Sequence, residues 1–373
     1  FKRCLLAIVV MFVVTSLQAQ REMKTINDNW EFRKSIDESW ESVNLPHTFN
    51  IDAYQQRNYY QGKGFYRRTL VLPEIVAERR YYMKIDAASK AANIRVNGKE
   101  VGSHVGGYTA CIVDITEYIR KENLIEITVD NGRKDITPIS ADFTFWGGIY
   151  RDVWLISTPK QHFNMSNMGS DGIFISTPVV NEKRGVLKVK CEVTNDSHES
   201  SILEVRSAIY SPQGKLLQTI KQKQKLKSGE TYIFENTSGA IESPDLWSPE
   251  TPSLYLVKTT LVDPKSGKLL DEKNHKVGFR WFTFDGSKGF FLNGKNMKVK
   301  GVCLHHDAGI VGTAVPKDVW KRRLAILKAG GCNAIRTAHN PASDEFLDLC
   351  DEMGFLVQNE FYDEWDLPKD KRY

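Results

Sequence analysis

Three clusters of polar and ionisable residues mark the last quarter of the chain: Leu304-His305-His306-Asp307, Ala338-His339-Asn340-Pro341 and Gln358-Asn359-Glu360, with Asp363-Glu364-Trp365 just after. Each follows a short apolar stretch that reads as a β-strand, over residues 298–303, 333–337 and 355–357. Imidazoles, carboxamides and carboxylates supply hydrogen-bond donors and acceptors to a ligand. Gathered at the carboxyl ends of parallel strands, they stand where α/β barrels place their active sites. The chain contains neither an HExxH pair nor a glycine-rich phosphate loop.

Parallel strands need helices between them, and the sequence supplies two. Over residues 316–330, Trp320, Leu324 and Leu327 fall on one helical face. Pro316 suits the first turn and Gly330-Gly331 the end. Ser343 suits an N-cap, with Asp344 and Glu345 in the first turn, where negative charge is favoured. Phe346, Leu347, Cys350 and Met353 give this second helix its apolar face, and Gly354 stops it. The alternation predicts a parallel sheet. Three strands are visible where a (β/α)8 TIM barrel needs about eight. Residues 281–373 thus read as the truncated first part of such a barrel.

The region before the barrel is all-β. Residues 21–159 carry strand candidates at 65–72, 80–85, 92–96 and 123–129, with a hairpin turn at Asn97-Gly98. Strands of this number and spacing fit a β-sandwich of the jelly-roll kind. Gly147-Gly148 before a strand signals a bend or a close backbone approach. Residues 160–280 alternate again at 186–193, and in part at 203–210 and 254–262, as an immunoglobulin-like sandwich would. This second sandwich shows no ionisable cluster and is expected to hold the first unit against the third. Asn293-Gly294 marks another hairpin turn.

Composition sets outer bounds. With 373 residues the chain is long enough for two or three domains, and 41% hydrophobic with 26% charged residues is ordinary for a soluble globular protein. Lys2-Arg3, an apolar run over 5–14 and a small-residue exit to Ala19 read as a secretory leader spanning residues 1–20. The run is too short for a comfortable membrane span. Removing its two positive charges from the net +5 leaves +3, and no basic block points to nucleic acid. The five cysteines after the leader show no CxxC spacing, so buried thiols are expected rather than a disulfide framework or a zinc site.

Two β-sandwiches followed by β/α units form an uncommon order. The chain resembles glycoside hydrolase family 2, the family of β-galactosidases, β-glucuronidases and β-mannosidases. The resemblance rests on Leu45-Pro-His-Thr48, Gly64-Phe-Tyr-Arg-Arg68, Val96-Asn-Gly98 with Gly106-Gly-Tyr108, Gly147-Gly-Ile-Tyr-Arg-Asp-Val153, Leu246-Trp-Ser-Pro249 and Gly278-Phe-Arg280. Its most specific match is Asn333-Ala-Ile-Arg-Thr-Ala-His-Asn-Pro341, followed by Asp351-Glu-Met-Gly-Phe355.

The resemblance implies a retaining glycosidase that cleaves terminal β-linked sugars with two carboxyl groups about 5–5.5 Å apart. It places the acid/base and nucleophile glutamates on later strands, beyond Tyr373. Glu360, at the third strand, comes too early and is expected to hydrogen-bond its neighbours. His305 and His339 match histidines that donate hydrogen bonds to sugar hydroxyls as oxocarbenium character develops. Asp142 matches an aspartate with which β-galactosidases reach into the sugar pocket. Asn58 lies in a loop that adds a contact, and Asp307 and Asn340 support the pocket. Glu364 matches one ligand of a magnesium site, while Asp366 replaces its histidine, so Mg2+ or Na+ stays open. The implied partner is a β-linked oligosaccharide or glycoside, with a homo-oligomer compatible. β-Galactosidase is the first substrate reading, β-glucuronidase or β-mannosidase the alternatives, and a non-catalytic carbohydrate-binding fragment the reading from another class.

Overall fold

The computed structural model describes residues 20–136 and 138–361. The leader expected at residues 1–20 therefore falls almost wholly outside the described residues, and so do Glu364 and Asp366.

The chain folds as a multidomain, mostly β protein. The first unit packs two antiparallel sheets. One has six strands in the order Glu41–Val43, Trp30–Arg33, Lys63–Val71, Glu122–Asp130, Ala91–Val96, Lys99–Val105; the other has four, Glu22–Thr25, Val153–Pro159, Arg79–Ile85, Cys111–Asp114. Alternation drives the packing. In Arg79–Ile85 every second residue is buried, so Tyr81, Met83 and Ile85 face Trp30, Phe32, Ile94 and Ile127 of the other sheet. Each such side chain removed from water contributes on the order of 1.5–3 kcal/mol. Asn97 and Gly98 both take positive φ, 51° and 77°, as a two-residue hairpin requires.

The paired glycines make the expected close approach. Gly148 has φ 129°, and a Cβ there would lie 2.3 Å from the His47 carbonyl oxygen. A Cβ on Gly147 would meet the Phe49 ring at 2.4 Å. Only glycine lets this segment run under the 47–49 segment, whose amides bond Ile149 and Gly147. Just before this approach, Phe143 and Trp146 reach the barrel, at His305 and Asp307.

The second sandwich pairs Leu216–Leu226, Ser201–Tyr210, Tyr255–Val262 and Leu269–Val277 in one sheet. The facing sheet is built on Arg184–Asn195, which pairs with Gln161–Phe163, Ile173–Val180, Thr231–Thr237 and Ile241–Glu242. Val189, Cys191, Val205, Phe234, Val257 and Phe279 close its core. It grips the barrel segment by backbone carbonyls. Trp247 Nε1 donates to the Asp351 oxygen at 2.8 Å, and Lys328 Nζ donates to the Pro249 and Gly354 oxygens, both at 2.7 Å.

The barrel segment holds three parallel strands, Gly301–Leu304, Ala334–Thr337 and Leu356–Asn359, in that order. Helix α1, Lys317–Ala329, and helix α2, Asp344–Met353, pack on one face. Trp320 and Leu324 of α1 meet Phe346, Leu349 and Cys350 of α2 with Ile335 and Phe355. Leu349 completes an apolar stripe where the sequence pattern had placed Leu347, which is only partly buried. Ser343 Oγ accepts from the Phe346 amide at 3.2 Å, and Gly354 ends α2 in the left-handed region.

Two details depart from expectation. The first strand begins at Gly301 rather than residue 298, because Asn333 replaces the early ladder. Its side chain accepts from the Lys300 amide at 2.7 Å and donates to the Lys298 oxygen at 2.9 Å. Nor is that strand fully buried. Cys303 is exposed on the face away from the helices, where Arg336 Nη1 reaches its sulfur at 3.6 Å. Cys111, Cys191 and Cys350 are buried, Cys332 is half-buried, and all five are free thiols.

Candidate active site

The parallel register sets the site. Leu304 lies beside Thr337, and Thr337 beside Asn359, so His305, His339 and Glu360 emerge together at one end of the sheet. The His305 and His339 rings stand nearly perpendicular, 5.5 Å apart. Phe143, from the first sandwich, lies 5.8 Å from His305, 6.4 Å from His306 and 6.1 Å from His339. Asp142 beside it is exposed and makes no side-chain hydrogen bond among the described residues.

The floor of the site is a hydrogen-bonded relay. The Thr337 hydroxyl donates to Asn359 Oδ1 at 2.9 Å and accepts from the Glu360 amide at 2.9 Å. Asn359 Oδ1 also accepts from the Ala342 amide at 3.2 Å. Glu360 Oε1 accepts from Arg336 Nε at 2.5 Å, and Oε2 lies 3.1 Å from His339 Nδ1. Burial raises the Glu360 carboxyl, but hydrogen bonds from Arg336 and His339 outweigh it and hold the group below its usual range. Glu360 thus bonds its neighbours, as the sequence suggested.

The other positions divide. Asp307 Oδ2 accepts from the Trp146 indole at 3.0 Å, and its backbone oxygen accepts from Arg323 Nη1 at 2.6 Å, so this carboxylate ties the first sandwich to the barrel. Asn340 is buried, 6% exposed, and its Nδ2 has no partner. Asn58 is exposed beyond the short turn Ile51–Tyr54, without a hydrogen bond among the described residues. Among the described residues no hydrogen bond or ring contact brings Asn58 to the other candidates.

Two participants lay outside the sequence reading. His306 is wedged by Tyr108 at 5.1 Å and Tyr150 at 5.9 Å, and burial, Arg151 and His305 push it down to about 3. Arg151 bridges from the Tyr108 oxygen at 3.0 Å to the Pro341 oxygen at 3.2 Å, across the domain boundary. His306 had a signal, its place in the 304–307 cluster. Arg151 lies in the Gly147–Val153 motif but had no chemistry of its own there.

His305, His306 and Asn340 line one cavity of about 720 Å³. The Nδ1 atoms of both histidines are buried there without a partner. Among the described residues no three His, Cys, Asp or Glu side chains gather to hold a metal ion, and no helix is long and apolar enough to cross a membrane.

Three family models match in sequence order. Glycosyl hydrolases family 2, sugar binding domain, covers residues 11–159; Glycosyl hydrolases family 2 covers 171–280; Glycosyl hydrolases family 2, TIM barrel domain, covers 285–364. The chain belongs to glycosyl hydrolases family 2. This family 2 chain is 32% identical over 372 residues to Beta-galactosidase BoGH2A of Bacteroides ovatus, across 94% of its own length and 42% of the relative's. It is 47% identical to a crystal structure of Bacteroides uniformis β-glucuronidase, with a TM-score of 0.91 over 95% of this chain and 44% of that one. A second structure, Bacteroides uniformis β-glucuronidase 2 covalently bound to cyclophellitol-6-carboxylate aziridine, matches at 47% identity and TM-score 0.90, with the same coverage. The family 2 chain thus spans about two-fifths of the length of these relatives.

Proposed function

We propose that this chain is the N-terminal part of an exported, retaining glycoside hydrolase that removes a terminal β-linked sugar, with a β-glucuronide as substrate and a β-galactoside as the alternative. The observation that carries the reading is the His305–His339 pair at successive strand ends, roofed by Phe143 next to Asp142. Imidazoles at the mouth hydrogen-bond sugar hydroxyls, and such bonds strengthen as the ring flattens toward an oxocarbenium ion. Asp142 accepts from two hydroxyls at once. The acid/base and nucleophile are glutamates of later barrel strands. Glu360 is a poor candidate for either, since both its oxygens are engaged by Arg336 and His339.

The choice of a β-glucuronide rests on likeness. Identity is 47% to the two β-glucuronidase structures and 32% to the β-galactosidase. The covalent adduct of the relative is in keeping with a nucleophile and a retained configuration. The leader-like residues 1–20 support export, and Glu364 is the residue on which a Mg2+ or Na+ site would draw.

The test is hydrolysis of chromogenic β-glucuronide and β-galactoside by this chain and by a form extended to the relatives' length, with product anomers followed by NMR. The extended form is expected to cleave the β-glucuronide with retention, and the 373-residue chain to be inactive. Preference for the galactoside would move the substrate to the alternative. Turnover by the short chain would refute the placing of the catalytic pair.

A further inference from the structure

We propose that Glu360 is a positioning residue: its carboxylate keeps the His339 proton on Nδ1, which leaves Nε2 as a hydrogen-bond acceptor for the sugar. The ligand's identity rests on the glycosidase reading above; the tautomer does not.

His339 Nδ1 has two neighbours, Glu360 Oε2 at 3.1 Å and Arg336 Nη2 at 3.3 Å. They demand opposite protonation. A carboxylate only accepts, so the first contact needs Nδ1–H. A guanidinium only donates, so the second needs a lone pair on Nδ1. The shorter distance and the anionic acceptor select Nδ1–H, because a charge-assisted bond outweighs a neutral acceptor. Arg336 has other partners, Glu360 Oε1 through Nε and Cys303 through Nη1. Glu360 is held in place by its own amide, which donates to Thr337 Oγ1 at 2.9 Å.

The other ring nitrogen, Nε2, has no hydrogen-bond partner among the described residues, and the His339 side chain is 21% exposed. In the Nδ1–H tautomer Nε2 carries a lone pair and accepts from a sugar hydroxyl. The sequence-based expectation is a donor at His339; this tautomer makes its Nε2 an acceptor instead. His305 differs: its Nδ1 is buried without a partner among the described residues.

The experiment reads the tautomer directly. The 373-residue chain is labelled with ¹⁵N-histidine, and ring nitrogens are correlated with ring carbon-bound protons at pH 7.5. His339→Gln assigns the His339 signals by their loss. Wild-type His339 is expected as Nδ1–H. In Glu360→Gln the neutral amide can donate to Nδ1, and the Nε2–H form is expected to appear. In Arg336→Met, Nδ1–H is expected to persist. Unchanged circular dichroism shows that each variant is folded, and His305 serves as an internal reference. Wild-type His339 found as Nε2–H, or a tautomer that follows Arg336→Met and ignores Glu360→Gln, would overturn the proposal. No substrate is used, so this result and the hydrolysis assay fail independently.

Discussion

Where the first sandwich meets the second, Arg21 Nη2 donates to Asp271 Oδ2 at 2.7 Å and to the Phe163 oxygen at 2.9 Å, and the Phe163 and Glu272 amides donate to the same carboxylate. Both side chains are almost wholly enclosed, 3% and 0% exposed. Where the first sandwich meets the barrel strands, His305 Nδ1, His306 Nδ1 and Asn340 Nδ2 are buried and unpartnered around one cavity. Arg21 Nε is also unpartnered, but its Nη2 is bonded twice into the seam. A buried polar atom without a partner costs about 1–3 kcal/mol. A fold tolerates a cluster of them where something else is to bind. One seam is thus built as an anchor and the other keeps hydrogen-bonding capacity in reserve.

Breaking the anchor should give the largest effect. Arg21→Met strands the Asp271 carboxylate in an enclosed site, and a loss of about 3–5 kcal/mol is expected in urea unfolding. A loss below about 1 kcal/mol would mean that this seam is no anchor.

Acid should next separate the barrel seam from the second sandwich. Folded His306, pushed down to about 3, stays neutral while the unfolded ring takes a proton below about 6.5. The native state then binds fewer protons, so stability falls as pH drops from about 6.5 toward 3. At the second sandwich, burial raises Asp171, but its bond to His275, 2.9 Å away, outweighs this and lowers it below the ordinary carboxylate range. That contribution is present above the ordinary range and is lost only as pH falls through the lowered value. Thermal melts between pH 7 and 5 should therefore lose stability that His306→Gln restores and His275→Gln does not. Equal effects of the two variants would erase the distinction.

The smallest stability change, and the sharpest test of reserve, is Asn340→Leu. Removing an unpartnered buried amide should leave unfolding within about 1 kcal/mol of wild type, or raise it. The extended enzyme should meanwhile lose about tenfold in kcat/KM, the worth of one hydrogen bond. A destabilisation above about 2 kcal/mol would make Asn340 a structural residue.

Much of the fold could be read from the chain because its signals are local. Ser343 caps α2, Gly354 ends it, and Asn97-Gly98 and Asn293-Gly294 turn with positive φ. His305, His339 and Glu360 could be placed because strand ends are local too, and a parallel register then aligns them. The start of the first barrel strand was misjudged because Asn333 caps it from another strand, 33 residues away.

The sequence by itself determined the alternation of strands and helices, the turns and caps, and the residue types at each strand end, since propensity, periodicity and capping act within a few residues. Only the tertiary structure decided that Phe143 roofs three histidines, that Trp146 binds Asp307 from 161 positions away, and that Arg21 closes on Asp271 from 250. It also decided which nitrogens stay unpartnered. Those outcomes depend on how whole sheets pack, and no local pattern carries that information.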